Sequence, residues 1–438
     1  MKFATVRWFL TAVLSVTATL SFVLVKHFED VHVYYAAAQA LFLNGRTDLY
    51  SADFADSAIM DYRYPPFFLF LFSPFSLLPY KLVEFIWLWL CIFAFCQIIK
   101  TTKLGFELVV PDSSRVWPAI LLSLIATAKF FVVLSGHFNV HLIVIAFVGL
   151  AFYSVLSRKQ LMAAVPMALA ITIKISPILT LPYFALRRQW RFLAATSVLV
   201  VVFNLLPALY FGWNTNADLL VNWYRHVVAN DEFHEVNGPL DLSLRGQLKR
   251  YLVDIDYEKR FDDPDYEEVN FLSLSEAQFE QIWRILAAGM FIGTLFIIWC
   301  LKTKRRRLGL QQSEFDSLTF LEFGLAISLV LLVAPRTNEY YLIALFFPLI
   351  PLSDDLLRKK SNFNIAIFGL VLLGTCILPL VPGRHIQRLF LVLGIDFWVM
   401  IVVWIGLIYN LFYQSSEVVI AADKRETHFL DASSRRLA

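Results

Sequence analysis

"RKQLMAAVPMALAITIKISPILTLPYFALRR" (158–188) is an apolar stretch with two basic residues at each end. Because positively charged loops stay on the cytoplasmic side of a membrane, we expect both ends on that side. The chain between them must then enter the membrane and return. Pro166, Pro177 and Pro182, with Lys174 among them, favour two broken half-helices, which are tolerated where protein buries the backbone. The stretch predicts a re-entrant segment in a helical membrane protein.

The composition points to the same class of protein. Of the 438 residues, 58% are hydrophobic and 17% are charged, whereas soluble domains have about 45–50% apolar and about 25% charged residues. One soluble core cannot bury that excess, and apolar runs near 20 residues recur along the chain. We therefore predict an all-α polytopic membrane protein in contact with a lipid bilayer. The net charge of +3 gives no reason to expect a nucleic-acid partner.

The distribution of lysine and arginine predicts the topology. The candidate spans are 8–25, 82–100, 117–135, 137–157, 191–211, 282–301, 317–334, 339–352, 362–381 and 388–413. The run 65–79 is short and is interrupted by Ser73-Pro74, so we do not expect it to cross fully. The basic clusters then lie inside together with both termini, and the segments 26–64, 212–281, 335–338 and 382–387 lie outside. We expect one transmembrane domain, 1–413, in the plasma (inner) membrane, and a cytoplasmic disordered tail, 414–438.

The first outer segment contains one candidate carboxylate, Asp30, and one candidate cation, Arg63. Asp30 stands where a helix N-cap is expected, and its alternative role is that of a catalytic base at the membrane surface. Arg63, followed by Tyr64, precedes an apolar run. Its guanidinium suits a lipid phosphate, or it anchors the chain at the interface by snorkelling.

Two further segments place polar groups in apolar surroundings. In "SGHFN", His137 and Asn139 lie at the outer end of a helical hairpin, where they either serve a site or satisfy a tight turn. Lys174 is expected about 20 Å above the cytoplasmic face, from about 1.5 Å of rise per residue. An ionisable residue at that depth is a functional candidate by default, and a structural ion pair is the alternative.

The long outer loop and the chain after it add weaker candidates. "LSLRG" contains Arg245, and "APRTNEYYL" places Asn338, Tyr340 and Tyr341 outside. The acidic run DDPDYEE (262–268) lacks the pattern of an EF-hand, so we expect solvated surface there and not a calcium site. The four cysteines lie in apolar runs without metal-ligand spacing, so we expect them in the core and predict no metal ligands.

Six segments, in order, resemble glycosyltransferase family 87, integral membrane proteins with the GT-C architecture. They are DVHVYYAAAQALFLNGRTDLY, YRYPPFFLFLFSPFSLLP, SGHFN, ALAITIKISPI with LRRQWR, LSLRG and APRTNEYYL, and they cover about residues 30–345. The resemblance implies about 10–12 transmembrane or half-membrane helices with re-entrant segments. The sequence departs from the family at His137 and Asp241, where the family commonly has Gln and Asn, and at Tyr340, where it tends to have His.

The resemblance also implies an activity. Such an enzyme moves a sugar, usually mannose, from a polyprenyl-phosphate donor to a glycan or glycolipid acceptor on the outer face, usually with inversion. Asp30 matches the family's acidic residue and is the expected general base. We expect the donor phosphate to bind Lys174, Arg63 and Arg245. The remaining expected pocket residues are Tyr64, His137, Asn139, Asn338, Tyr340 and Tyr341. A divalent metal cofactor has no support in the sequence.

Two other classes of function stay open at this point. Broken helices and Lys174 also fit a transporter or flippase for a polyprenyl-linked lipid, although the polar residues gather on the outer side. An inactive scaffold that binds polyprenyl lipids is the third possibility.

Overall fold

The structure is a computed structural model that describes residues 29–51, 54, 62–110, 112–229, 240–261, 263–307, 315–316, 318–359 and 361–437. The described residues form helices and no strand. Six helices are long and apolar enough to cross a membrane, or seven when the broken pair Val116–Ala126 and Ala128–Leu134 counts as one span. Five shorter apolar helices accompany them. The prediction of an all-α polytopic membrane protein is confirmed, and the predicted span 8–25 lies outside the described residues.

The helices in the first half of the chain are α1 (Glu29–Phe42), α2 (Pro66–Phe72), α3 (Tyr80–Val109), α4 (Val116–Ala126), α5 (Ala128–His137), α6 (His141–Leu156), α7 (Gln160–Ile173), α8 (Leu181–Leu186), α9 (Trp190–Leu205), α10 (Ala208–Phe211) and α11 (Trp213–Trp223). Those in the second half are α12 (Leu244–Leu252), α13 (Tyr257–Phe261), α14 (Glu276–Arg307), α15 (Leu318–Val333), α16 (Phe346–Lys359), α17 (Asn362–Leu372), α18 (Arg384–Leu393) and α19 (Ile395–Leu437).

The segment 158–188 is broken at Lys174. Helix α7 ends at Ile173, and Lys174 has an extended backbone with φ −148° and ψ 122°. A 3₁₀ turn, Ser176–Thr180, and the short helix α8 follow. The two half-helices predicted from the prolines are therefore present, and the lysine lies at the break between them.

The run 65–79 is also too short for a full crossing. It forms α2 and a 3₁₀ turn, Ser73–Leu77. At about 1.5 Å of rise per residue, these elements reach only about 20 Å, which is less than the hydrocarbon thickness of about 30 Å.

The chain divides into two compact units. The first contains residues 1–105, 129–181 and 189–238, and in it α7 packs against both α6 and α9. The second contains residues 106–128, 182–188 and 239–438. Its centre is α15, which is buried along nearly its whole length and packs against α16 and α19. Gly324 allows this close packing, because a Cβ there would lie 2.9 Å from the Cα of Pro348.

The predicted span 388–413 begins too early, because its first residues belong to α18, and the helix that can cross a membrane is Ile395–Ser416. Gly394 ends α18 in the left-handed conformation, with φ 69°, and α19 begins at the next residue. The side chain of Gln247 fills the place that a Cβ of residue 394 would occupy, and its amide donates to the Leu393 carbonyl at 3.2 Å. Only glycine combines this φ with this contact at low cost.

The backbone of α19 is helical to Leu437, where the sequence predicts a disordered tail from residue 414. The residues of this segment include Ala, Glu, Lys and Arg, which favour helix.

In the described part of the acidic run, 263–268, the expectation of solvated surface holds for Glu267 and Glu268, which are exposed, and fails for Asp263. Asp263 is buried and accepts from Arg384 at 2.9 Å and Arg388 at 3.2 Å. Glu267 pairs with His385 at 3.0 Å. The acids of the long loop therefore hold α18. Of the four cysteines expected in the core, only Cys91 is buried; Cys300 and Cys376 are half-buried, and Cys96 is exposed.

A buried charge network in the second unit was not predicted. The carboxylate of Glu322, on α15, lies 2.7 Å from Arg187 and 2.9 Å from Arg305, and all three side chains are buried. Arg305 also pairs with Asp316 at 2.9 Å. These contacts join the chain before α9, the end of α14 and the start of α15.

Candidate active site

Asp30 lies in the first turn of α1, one residue inside the helix that begins at Glu29. A carboxylate in this turn is favoured by the helix dipole, and the side chain keeps 17% of its surface exposed. It therefore has access to solvent, while most of it is surrounded by protein.

The surroundings of Asp30 make its carboxylate a better proton acceptor. Burial raises its pKa to about 6, and the neighbouring charge of Glu29 acts in the same direction. The charge of His137 when its ring is protonated, the charge of Lys174 and a hydrogen bond from Asn139 act against burial and favour the ionised form. A carboxylate with a pKa near 6 is ionised at neutral pH yet basic enough for proton transfer.

Two tyrosines connect α1 to the turn that contains Asn139. Tyr34, one helical turn after Asp30, is fully buried and donates its hydroxyl to Tyr64 at 3.0 Å. The Asn139 amide also donates to the Tyr64 hydroxyl, at 2.9 Å, and the backbone N–H of Val140 donates to Tyr34 at 3.2 Å. These bonds fix Asn139 beside Asp30, so Tyr64 and Asn139 have positioning contacts.

The turn itself has an unusual backbone. Phe138 is buried and has φ 46°, a left-handed conformation that is uncommon for a residue other than glycine. Its carbonyl accepts a hydrogen bond from the indole of Trp87, on α3, at 2.8 Å. Trp87 thus holds the turn that places His137 on one side of Phe138 and Asn139 on the other.

Lys174 reaches the same group of residues from the break after α7. Its ammonium lies 3.5 Å from Nδ1 of His141, the first residue of α6. The same ammonium is close enough to lower the pKa of Asp30. The extended backbone at Lys174 therefore brings a cation and a carboxylate, 144 positions apart in the chain, into one electrostatic environment.

Arg63, directly before Tyr64, contacts the end of α11 through its backbone. Arg63 is half-buried, and its carbonyl accepts from the Trp223 indole at 3.3 Å.

Four predicted residues belong to the second unit. The guanidinium of Arg245 is buried, pairs with Glu280 and lies over the ring of Trp283. Asn338 accepts from Arg336 at 3.2 Å and donates to Tyr340 at 2.9 Å. The ring of Tyr341 packs on that of Tyr340, with centroids 4.8 Å apart.

The described residues do not fit a metal ion. Among them, no three His, Cys, Asp or Glu side chains are arranged as a set of ligands. Metal sites need several such ligands converging on one point.

Several residues of this group were not identified as site residues from the sequence. Tyr34 is one of several aromatic residues in its segment, and only the fold shows that it is buried and hydrogen-bonded. Trp87 stands in an apolar run like any lipid-facing tryptophan. Glu29 adjoins Asp30 and was not considered, although its carboxylate lies 3.2 Å from Nδ1 of His137.

A comparison with protein families agrees with the resemblance of the sequence. The model of glycosyltransferase family 87 matches residues 62–335, more than half of the chain. The match includes Tyr64, His137, Asn139 and Lys174, and it begins after Asp30. No curated protein and no solved structure matches the chain. The chain belongs to glycosyltransferase family 87 and is a membrane glycosyltransferase.

Proposed function

We propose that this glycosyltransferase moves a sugar, most simply mannose, from a polyprenyl-phosphate donor to a glycan or glycolipid acceptor, with inversion. The observation that carries the proposal is the environment of Asp30. It is a partly exposed carboxylate with a pKa of about 6, and the ammonium of Lys174 is close enough to act on it electrostatically. A proton acceptor and a cation that can stabilise a leaving anion are the two groups that this chemistry needs.

The proposed reaction is a single displacement. The acceptor hydroxyl attacks the anomeric carbon from the face opposite the phosphate, and the new C–O bond forms as the bond to the phosphate oxygen breaks. The hydroxyl proton passes to Asp30, and the products are the glycoside and polyprenyl phosphate. One carboxylate is sufficient for this inverting reaction, because the sugar forms no covalent bond to the protein.

The leaving phosphate gains negative charge, which a nearby cation stabilises. We propose Lys174 for this role, because its ammonium already acts on the Asp30 carboxylate. Arg63 is a second candidate, next to Tyr64. For Arg245, the ion pair with Glu280 favours a structural role, because that carboxylate already neutralises the guanidinium.

We further propose that the reaction takes place on the outer face of the plasma membrane, with both termini in the cytoplasm. The basic residues that flank α7 and α8 support this topology. With the flanks of the segment inside, Lys174 at its break faces outward, which is the side on which we place Asp30.

The test uses purified protein in lipid vesicles with radiolabelled polyprenyl-phospho-mannose and, in parallel, a nucleotide-linked mannose. We expect transfer to a glycolipid acceptor from the polyprenyl donor alone, and a product with the inverted anomeric configuration. Transfer from the nucleotide sugar alone, or retention of configuration, would contradict the proposal. Movement of the donor lipid across the bilayer without any transfer would favour the flippase.

A further inference from the structure

The imidazole of His137 lies between two carboxylates of α1. Its Nδ1 is 3.2 Å from a carboxylate oxygen of Glu29 and 3.8 Å from one of Asp30. Glu29 is 58% exposed, His137 34% and Asp30 17%. The ring therefore stands at the exposed edge of the carboxylate that we assign as the base.

The two carboxylates determine which nitrogen of the ring carries the proton. Ionised carboxylates only accept hydrogen bonds, so an acceptor nitrogen facing them would be repelled. The proton of the neutral ring therefore belongs on Nδ1, and the charged ring carries one there as well. Either form directs an N–H at Glu29 and Asp30, and the charged form adds electrostatic attraction.

We propose that His137 is a positioning residue for Asp30: anchored by Glu29, it orients the carboxylate and holds its negative charge, so that the enzyme works at lower pH than it would without the imidazole. This inference rests on the proposed role of Asp30 as the base. Neither substrate binding nor proton transfer by itself requires Glu29 or His137. The inference therefore gives these two residues a function of their own.

The other groups around Asp30 do not replace His137. Lys174 supplies a second positive charge, and Asn139 supplies a neutral hydrogen bond. Glu29 and Tyr34, on the same helix, add a negative charge and a buried hydroxyl. Of these groups, His137 is the one whose ring nitrogen lies 3.8 Å from the Asp30 carboxylate and 3.2 Å from that of Glu29.

The sign of the effect follows from this arrangement. Burial raises the pKa of Asp30 to about 6 while His137 lowers it. Removal of the imidazole therefore raises the pKa further, and the acid limb of the rate profile moves to higher pH. A nearby opposite charge changes a carboxylate pKa by about 1–3 units, and partial exposure of the ring favours the lower value. We expect an upward shift of about one pH unit.

The experiment measures kcat/KM between pH 5 and 9 for wild type, His137→Gln and His137→Lys. The Gln variant keeps an N–H donor but loses the charge, so its acid limb should move upward while the rate at high pH is retained. The Lys variant keeps a positive charge, so its limb should stay at or below that of wild type. His32→Gln is the matched control, because His32 is an exposed histidine on α1 that makes an edge-to-face contact with Tyr80.

Three results would overturn the inference: an unmoved limb in His137→Gln, an equal loss of rate at every pH in both variants, or an equal shift in His32→Gln. Asp30→Asn, measured in the same series, separates this failure from that of the proposed function. If Asp30→Asn is inactive while the His137→Gln profile is unmoved, only the inference about His137 fails. If Asp30→Asn is fully active, the base itself is wrongly assigned.

Discussion

The buried network around Glu322 gives a sharp prediction about stability. The change is Glu322→Gln, which removes the negative charge and keeps the size of the side chain. Two buried guanidinium groups then lose their shared anion, since Arg187 and Arg305 lie 2.7 and 2.9 Å from the two carboxylate oxygens. Removal of one partner from a buried pair is costly because it leaves an uncompensated charge in a medium of low dielectric constant.

The expected magnitude follows from the contacts that remain. Breaking a buried pair in this way costs about 3–5 kcal/mol. Arg305 keeps Asp316 at 2.9 Å, and Arg187 keeps the hydroxyl of Thr319 at 3.0 Å. The amide also leaves no cavity, so we expect a loss at the lower end, about 3 kcal/mol of unfolding free energy.

The assay is denaturant unfolding in mixed micelles, followed by tryptophan fluorescence. The matched control is Glu276→Gln, because Glu276 pairs with Lys249 at 2.9 Å but is 57% exposed. An exposed pair contributes about 0–1 kcal/mol, so this variant should unfold nearly as wild type does. A Glu322→Gln protein within about 1 kcal/mol of wild type, or a control that loses as much, would refute the reasoning.

Two further substitutions test the packing in each unit by the same unfolding assay. Trp87→Phe removes the donor to the buried Phe138 carbonyl, which should lower the unfolding free energy by about 1–3 kcal/mol; an unchanged value would mean that the indole does not hold the turn. Gly246→Ala places a Cβ against the backbone oxygen of Asp241, and such overpacking costs about 1–3 kcal/mol. Gly289→Ala, where nothing lies within 4 Å of the new Cβ, should be neutral or stabilising, and equal losses in both glycine variants would contradict the steric explanation.

The sequence predicts those features of this protein that depend on local pattern. The prolines of the segment 158–188 predicted its break, and the structure ends α7 at Ile173, directly before Lys174. The lysine could be singled out because an ionisable residue is costly in an apolar segment. The interrupted run 65–79 was likewise recognised as too short to cross the membrane, from its length and its Ser-Pro pair.

Features that depend on distant partners could not be predicted in this way. Arg187 was assigned to a basic cytoplasmic cluster, and only the fold shows that it pairs with Glu322, 135 positions later. A signal did exist, because Glu322 stands alone in an apolar run and so called for a partner. The role of Trp87 had no such signal, since its hydrogen bond depends on the left-handed backbone of Phe138.

Helix boundaries also depend partly on local sequence and partly on contacts with distant residues. The apolar run 388–413 gives no sign of ending at residue 394, because one glycine inside a hydrophobic helix is common in membrane proteins. The boundary becomes necessary only when Gln247 approaches Gly394 from the long loop. Asp30 shows the opposite case, because its place at the start of a helix was evident, while its proton affinity depends on residues more than 100 positions away.

The central claim is that Asp30 accepts the proton of the acceptor hydroxyl. It is tested most directly by the rate of transfer by Asp30→Asn from polyprenyl-phospho-mannose, with donor binding measured separately and Asp48→Asn as control. Asp48 is an exposed acid of the same outer segment, paired with Arg46 at 2.7 Å. We predict that Asp30→Asn binds donor as wild type does and transfers about 10²–10⁴-fold more slowly, while Asp48→Asn remains fully active. Transfer by Asp30→Asn at the wild-type rate would contradict the claim.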